Sequence, residues 1–255
     1  MTASSPISIL CTNDDGFLAP GIRILARAAR QLGDIVVVAP DREQSATSHS
    51  LTLHRPLRTR VVSEEVTAVD GTPTDCVIVA MNAVLKRPPA FCLSGVNHGP
   101  NMGEDVLYSG TVAAAMEATV LNIPSIALSH AGEGLQEDQG WEELLVRLLP
   151  QLMEVDRFPP HTLLNVNLPA VAPDQVKGIR VTTLGQRRYS DSLTRAQDPR
   201  GRDYFWIGGT VSHWTGGEDS DFRAVEEGFI SLTPLHMDLT NHALLEQIGK
   251  WRLTL

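Results

Sequence analysis

Two adjacent carboxylates, Asp14 and Asp15, follow the apolar run Ile7-Ser8-Ile9-Leu10-Cys11-Thr12 and are succeeded by Gly16. Acids placed directly after a first strand stand where open α/β sheets bind their ligands, outside the carboxyl ends of the strands. Side by side they repel each other, and a divalent cation is the natural counter-charge. Neighbouring side chains of an extended segment point opposite ways, so both reach one ion only if the chain turns, which Gly16 permits. A solvated Asn-Asp-Asp-Gly turn uses the same residues. Hard oxygen donors recur at two later strand ends. Asp41 to Ser50, with Ser45, follows the β-branched run Ile35–Ala39, and Ser94 to Gly103, with Asn97, follows Ala90–Leu93. Asp14, Asp15, a Ser45 hydroxyl and an Asn97 amide would suit Mg²⁺ or Mn²⁺ better than zinc. The turn Ser109-Gly110-Thr111 then opens an alanine-rich helix, Val112 to Leu121. A helix N-terminus presents unpaired N–H groups and partial positive charge, so this turn is either a phosphate seat or ordinary N-capping.

The elements that must position these residues alternate. Ile22, Leu25, Ala26, Ala29 and Leu32 stand at helical spacing between the first two strands, giving a βαβ unit. Residues 51 to 70 read as extended, partly exposed chain with Arg55, Arg58 and Arg60. Thr72-Pro73 starts a helix running to Leu85, Pro124–Ser129 a strand, Trp141–Met153 an amphipathic helix and Thr162–Leu168 another strand. From Gly185 to Glu227 arginines, glycines and the aromatic island Tyr204-Phe205-Trp206 replace this alternation, as an ordered arm packing on a partner subunit or as a surface loop. Phe229–Leu235 returns to strand pattern, and Leu244, Leu245, Ile248 and Trp251 form a last amphipathic helix.

The totals exclude several classes. A chain of 255 residues with 42% hydrophobic residues can bury a sizeable core. Its net charge of −9 argues against a nucleic-acid duplex as partner. No apolar run nears the roughly 18 residues that span a bilayer, and the opening residues lack the layout of a signal peptide, so a cytoplasmic protein without a membrane partner is expected. Cys11, Cys76 and Cys92 lie in apolar runs and read as buried, reduced thiols. Dinucleotide and P-loop glycine motifs are absent.

Taken together, ordered blocks across nearly the whole chain resemble the SurE survival protein family of metal-dependent nucleoside monophosphate phosphatases. They are Thr12-Asn13-Asp14-Asp15-Gly16; Ala39-Pro40-Asp41-Arg42 with Ser45; Gly71-Thr72-Pro73-Thr74-Asp75-Cys76; Ser94-Gly95-Val96-Asn97 with Gly99 and Asn101; Tyr108-Ser109-Gly110-Thr111-Val112-Ala113-Ala114-Ala115-Met116-Glu117; and Asp221 with Ser231-Leu232-Thr233-Pro234-Leu235. The resemblance implies an α/β, Rossmann-like, mostly parallel sheet flanked by helices. It also implies a projecting β-hairpin arm near residues 186 to 220 and a C-terminal segment exchanged within a homodimer or homotetramer. A division into a core (1–185), an excursion (186–227) and a returning strand with its helix (228–255) follows. Asp14 and Asp15 become the candidate catalytic pair, and with Ser45 and Asn97 they are the implied ligands of one divalent cation per subunit. Ser45, Asn97, Ser109, Gly110 and Thr111 are the implied substrate contacts. The implied substrates are nucleoside 5′-monophosphates, with 3′-monophosphates and short polyphosphate beside them. No general acid is identified, and His98 carries no transferable role. A non-catalytic metal-dependent nucleotide or phosphate sensor needs the same pocket and differs in lacking turnover. A haloacid dehalogenase-type phosphatase is the weaker rival, since it requires a phospho-aspartate and aspartates one residue apart.

Overall fold

The computed structural model describes residues 7–132, 134–137, 140–154, 158–190, 193–207 and 211–251. Strand β1 (Ile7–Thr12) leads through helix α1 (Pro20–Arg30) to β2 (Gly33–Pro40), then to the short β3 (Thr59–Val61) and β4 (Val66–Val69). Helix α2 (Pro73–Val79), prolonged by a π-helical turn over Ala80–Val84, precedes β5 (Phe91–His98). Helix α3 (Gly110–Val120), β6 (Ser125–His130), α4 (Trp141–Leu152) and β7 (Thr162–Leu168) continue the alternation. The chain then passes through β8 (Ile179–Val181), β9 (Gln186–Ser190), β10 (Leu193–Gln197), β11 (Asp203–Ile207), β12 (Val211–Thr215), α5 (Asp221–Glu226), β13 (Ile230–His236) and α6 (His242–Ile248).

Nine strands form one sheet in the order β3-β4-β2-β1-β5-β6-β7-β13-β8. The run from β4 to β7 is parallel, while β13 lies antiparallel to β7 and β3 antiparallel to β4. Both faces are covered, which is why the central strands read as unbroken apolar runs. On β1, Ile9 and Cys11 pack towards α1 and α4, whereas Leu10 packs with Cys76 and Val77 of α2 and Ala114 and Ala118 of α3. Each fully buried Leu or Ile contributes about 1.5–3 kcal/mol. The strand order reverses between β1 and β5, so the crevice at their carboxyl ends is the topological switch point of this Rossmann-like sheet.

One expectation is corrected. Ser94 to His98 is not loop: β5 runs to His98, with a register shift between Ser94 and Asn97 against β6. Gly95 has φ +135°, and a Cβ there would overlap the Leu128 carbonyl, so the glycine marks a bulge in a crowded central strand. Residues 51 to 70 contain the antiparallel pair β3 and β4, extended and partly exposed as expected: β4 joins the sheet beside β2 with Thr67, Ala68 and Val69 buried, and the edge strand β3 is exposed.

Residues 186–215 pair as two nested antiparallel ladders, β9 with β12 and β10 with β11. Their base is tied down where Trp214 stacks on Phe222 with ring centroids 5.5 Å apart. Helix α6 buries none of its residues, and Leu239 and Trp251 beside it are exposed. Among the described residues no helix is long and apolar enough to cross a membrane. The three thiols are buried and unbridged, and burial pushes Cys11 up to about 12.

Candidate active site

The turn after β1 is built by Asn13, whose Nδ2 donates to the Gly16 carbonyl at 2.9 Å, and by Gly16 at φ +94°. It sends the two carboxylates apart. Asp14 is buried, with 4% of its surface exposed, and its Oδ1 accepts the Thr111 hydroxyl at the start of α3. Asp15 is half-buried, and its Oδ2 accepts the backbone N–H of His98 at 3.1 Å. Burial is the first cause that lifts the Asp14 carboxyl to about 6; the charge of Asp15 adds to it and hydrogen bonds from Thr111 oppose it. Burial also raises Asp15, against the His98 N–H.

The loop after β2 is fastened to this turn. Gln44 N–H donates to the Asp14 carbonyl at 2.7 Å, and Ser48 bonds the carbonyls of Tyr108 and Leu107 through its N–H at 3.1 Å and its hydroxyl at 2.6 Å. These bonds hold Ala46 and Ser48 at φ +57° and +55°, a region non-glycine residues seldom occupy. Ser45, just before Ala46 in the loop, is exposed and donates its hydroxyl to Glu43 at 2.6 Å. Asn97, near the end of β5, spends its Nδ2 on the Gly99 carbonyl at 2.8 Å, which fixes the amide so that its oxygen is the other terminal atom available to a ligand.

Asp14, Ser45, Asn97 and Ser109 line one cavity of about 560 Å³, together with His98, Tyr108 and Ile207. Asp15 stands beside it, its carboxylate held by the N–H of His98, the last residue of β5 and a lining residue of the cavity. The expected phosphate seat is only partly met. Ser109 lines the cavity, but its hydroxyl accepts the Val112 N–H as the α3 N-cap. Thr111 is fully buried with its hydroxyl committed to Asp14, and Gly110 lies against Asp14, where a Cβ would come within 2.8 Å of the Asp14 Cβ. The first turn of α3 thus serves the carboxylate before any ligand. Among the described residues no group of three or more His, Cys, Asp or Glu side chains is arranged to hold a metal. A cation here would depend on the neutral oxygens of Ser45 and Asn97 beside the two carboxylates. That donor set, all hard oxygen around one buried and one half-buried carboxylate, fits Mg²⁺ or Mn²⁺.

Two buried polar clusters at the cavity wall and behind it, built on Asn101 and Asp221, have no role assigned from sequence, although both residues stand in the matched blocks. Asn101 N–H donates to Asn167 Oδ1 at 2.8 Å and its Nδ2 to Ser129 at 2.8 Å, while Asn165 and Asn167 both donate to its carbonyl. Asp221 accepts the N–H groups of Gly103, Gly185 and Phe222 at 2.8, 3.0 and 2.8 Å. Together they clamp the 99–103 segment that borders the cavity. Alternating asparagines in the otherwise apolar strand β7 were the available signal.

The sequence profile described as "Survival protein SurE" matches residues 9–191. A protein of Gemmatimonas aurantiaca named 5′-nucleotidase SurE is 58% identical over 246 residues, covering 95% of this chain and 98% of that one. Another of that name, from Geobacter metallireducens, is 48% identical over 245 residues, covering 96% and 97%. The crystal structure of the SurE protein from Aquifex aeolicus superposes with a TM-score of 0.83 at 40% identity, covering 95% of this chain and 98% of that chain.

Proposed function

We infer that this chain, which belongs to the SurE survival protein family, is a phosphatase that hydrolyses nucleoside 5′-monophosphates to nucleoside and phosphate. The observation that carries the reading is the meeting of Asp14, Ser45, Asn97 and Ser109 in one cavity at the switch point of the sheet. The proposal extends to 3′-monophosphates and short polyphosphate, whose reacting phosphoryl group is the same.

Asp14, Asp15, Ser45 and Asn97 would hold one divalent cation per subunit, Mg²⁺ or Mn²⁺. When bound, that cation supplies positive charge against the phosphoryl oxygens and the acidity that lets water react at neutral pH. The chain's own part is to hold the donors. Thr111 and the His98 N–H orient the two carboxylates, and the amide of Asn97 is locked by Gly99. With its carboxyl raised to about 6, Asp14 is mostly ionised at neutral pH and neutral in mild acid. Ser109, at the cavity wall, would meet the phosphate from the helix end.

The same reading includes a core over residues 1–185, an excursion over 186–227 and a returning segment over 228–255. It also includes a homodimer or homotetramer, supported by the exposed Trp206, Leu239 and Trp251. A cytoplasmic location is supported by three buried free thiols.

The test is phosphate release from AMP, 3′-AMP and an aryl phosphate with Mg²⁺, Mn²⁺ or a chelator. Multiple turnovers on AMP that cease with chelator and return with metal are expected. Stoichiometric AMP binding without release would identify a sensor, and a trapped phospho-aspartate would identify the haloacid dehalogenase chemistry.

A further inference from the structure

The cavity is lined by polar groups and by two open apolar side chains that a phosphate does not use. Asp14, Asn97 and Ser109 are the phosphate pole in the reading above, yet a space of about 560 Å³ is the size of sites that take whole small molecules rather than one phosphate group. Tyr108 and Ile207 also line it, and both are unusually open for large apolar side chains, with 60% and 89% of their surfaces exposed. Tyr108 immediately precedes the helix cap Ser109, so its ring is displayed one residue from the phosphate pole. Its backbone is pinned on both sides: the N–H donates to the Asp105 carbonyl at 3.0 Å, and the carbonyl accepts the Ser48 N–H at 3.1 Å. A fixed backbone carrying an uncovered ring is a preorganised platform, and a Tyr ring offers large contact area at low conformational cost. Ile207 arrives from the far end of β11 in the arm, so the excursion reaches the cavity as well as the solvent.

We propose that Tyr108 is the base platform of this site, its ring stacking on the heterocycle of a nucleoside monophosphate while Ile207 adds apolar contact from the arm. The inference rests on the phosphatase reading and deepens it. The site selects phosphate monoesters that carry an aromatic base over sugar phosphates of equal charge. Every base has a π-face, so a platform of this kind accepts purines and pyrimidines alike.

The test compares kcat/KM for AMP and ribose 5-phosphate, which share the phosphoryl group and sugar and differ in the base. The parent enzyme is expected to prefer AMP. Tyr108→Ala is expected to cut that preference by about five- to 150-fold, the range for removing an aromatic from a stacked base, with the change in the KM of AMP. Tyr108→Phe should keep the preference, and Ile207→Ser should lower it in the same direction by less. Adenosine, which cannot be turned over, should inhibit ribose 5-phosphate hydrolysis by the parent enzyme and do so more weakly with Tyr108→Ala. Equal losses on both substrates, or an unchanged preference accompanied by an altered oligomeric state, would overturn the platform and leave the phosphatase reading standing. No release from either substrate by the parent enzyme would overturn the phosphatase reading itself.

Discussion

Replacing Thr111 with Val keeps the shape of a fully buried β-branched side chain and deletes the hydroxyl that donates to Asp14. A hydrogen bond to a charged group contributes about 1.5–3 kcal/mol, which on the acceptor corresponds to a shift of about one to two pKa units. The Asp14 carboxyl stands at about 6 with that bond in place. At pH 7 the parent is therefore about nine-tenths ionised, and the variant, raised to about 7 to 8, about one half to one tenth. A cation binds the ionised form and competes with the proton. The Mn²⁺ concentration for half-maximal phosphate release from AMP should thus rise about two- to tenfold at pH 7 from the proton alone. The sign is definite: the gap between variant and parent narrows as pH rises to 9, where both are ionised, and widens towards pH 6.5. Thr111→Ser retains the donor and should track the parent. Stability follows the same linkage. A folded-state pKa above the ordinary 3.8 means that the metal-free protein loses this group's contribution as pH rises through about 6, and Thr111→Val carries that loss to higher pH. Mn²⁺ titrations of initial rate at several pH values, with melting curves of the metal-free protein, measure both. A half-saturation equal to that of the parent at pH 7, or a deficit of the same size at pH 7 and pH 9, would refute the claim that Thr111 tunes Asp14.

Gly110→Ala adds a Cβ within 2.8 Å of the Asp14 Cβ and 3.0 Å of Pro73 Cγ, so the carboxylate must move. Although alanine favours the helix by about 1 kcal/mol, the variant should need more Mn²⁺ and lose AMP hydrolysis while its far-UV circular dichroism stays that of the parent. Asp221→Asn keeps one acceptor oxygen for the three N–H groups of Gly103, Gly185 and Phe222 and turns an amide against another donor. Urea unfolding should show a loss of about 1–3 kcal/mol, and an unchanged midpoint would mean that the clamp is dispensable.

The legible parts of the fold were those where local pattern and tertiary environment agree. Trp141–Met153 and Thr162–Leu168 read as helix and strand, and α4 and β7 occupy Trp141–Leu152 and Thr162–Leu168, because an amphipathic stripe has the helical period and a doubly covered strand is a short, mostly apolar run. Ser94 to His98 misled because glycine and asparagine signal loops by composition, whereas here the glycine admits the Leu128 carbonyl of a neighbouring strand. Residues 51 to 70 were legible as extended, partly exposed chain, but the burial of Thr67, Ala68 and Val69 was not, because four residues are too few to show a period. For the site, strand ends could be read, and they named Asp14, Ser45 and Asn97. Which way each side chain turns could not. Thr111 looked like a phosphate contact because its partner lies 97 residues away on another element. Tyr108 opens a matched block without a role of its own, Ile207 lies outside the blocks, and both stand out by being open beside a cavity.

That turn of side chains changes what the start of α3 is for. A helix N-terminus carries about half a positive charge, and a carboxylate placed there ordinarily titrates low. Asp14 receives the Thr111 hydroxyl at the first turn of α3, and burial together with the charge of Asp15 lifts its carboxyl to about 6 against the hydrogen bonds it accepts. The first turn of α3 is thus already engaged with one carboxylate, through the Thr111 hydroxyl and the close approach of Gly110, before a phosphate dianion arrives. Two carboxylates and an incoming phosphate set against one helix end leave a deficit of positive charge. A divalent cation between Asp14, Asp15, Ser45 and Asn97 is of the sign and magnitude that would close it, and it would draw in the phosphate for the same reason that it lowers the Asp14 carboxyl.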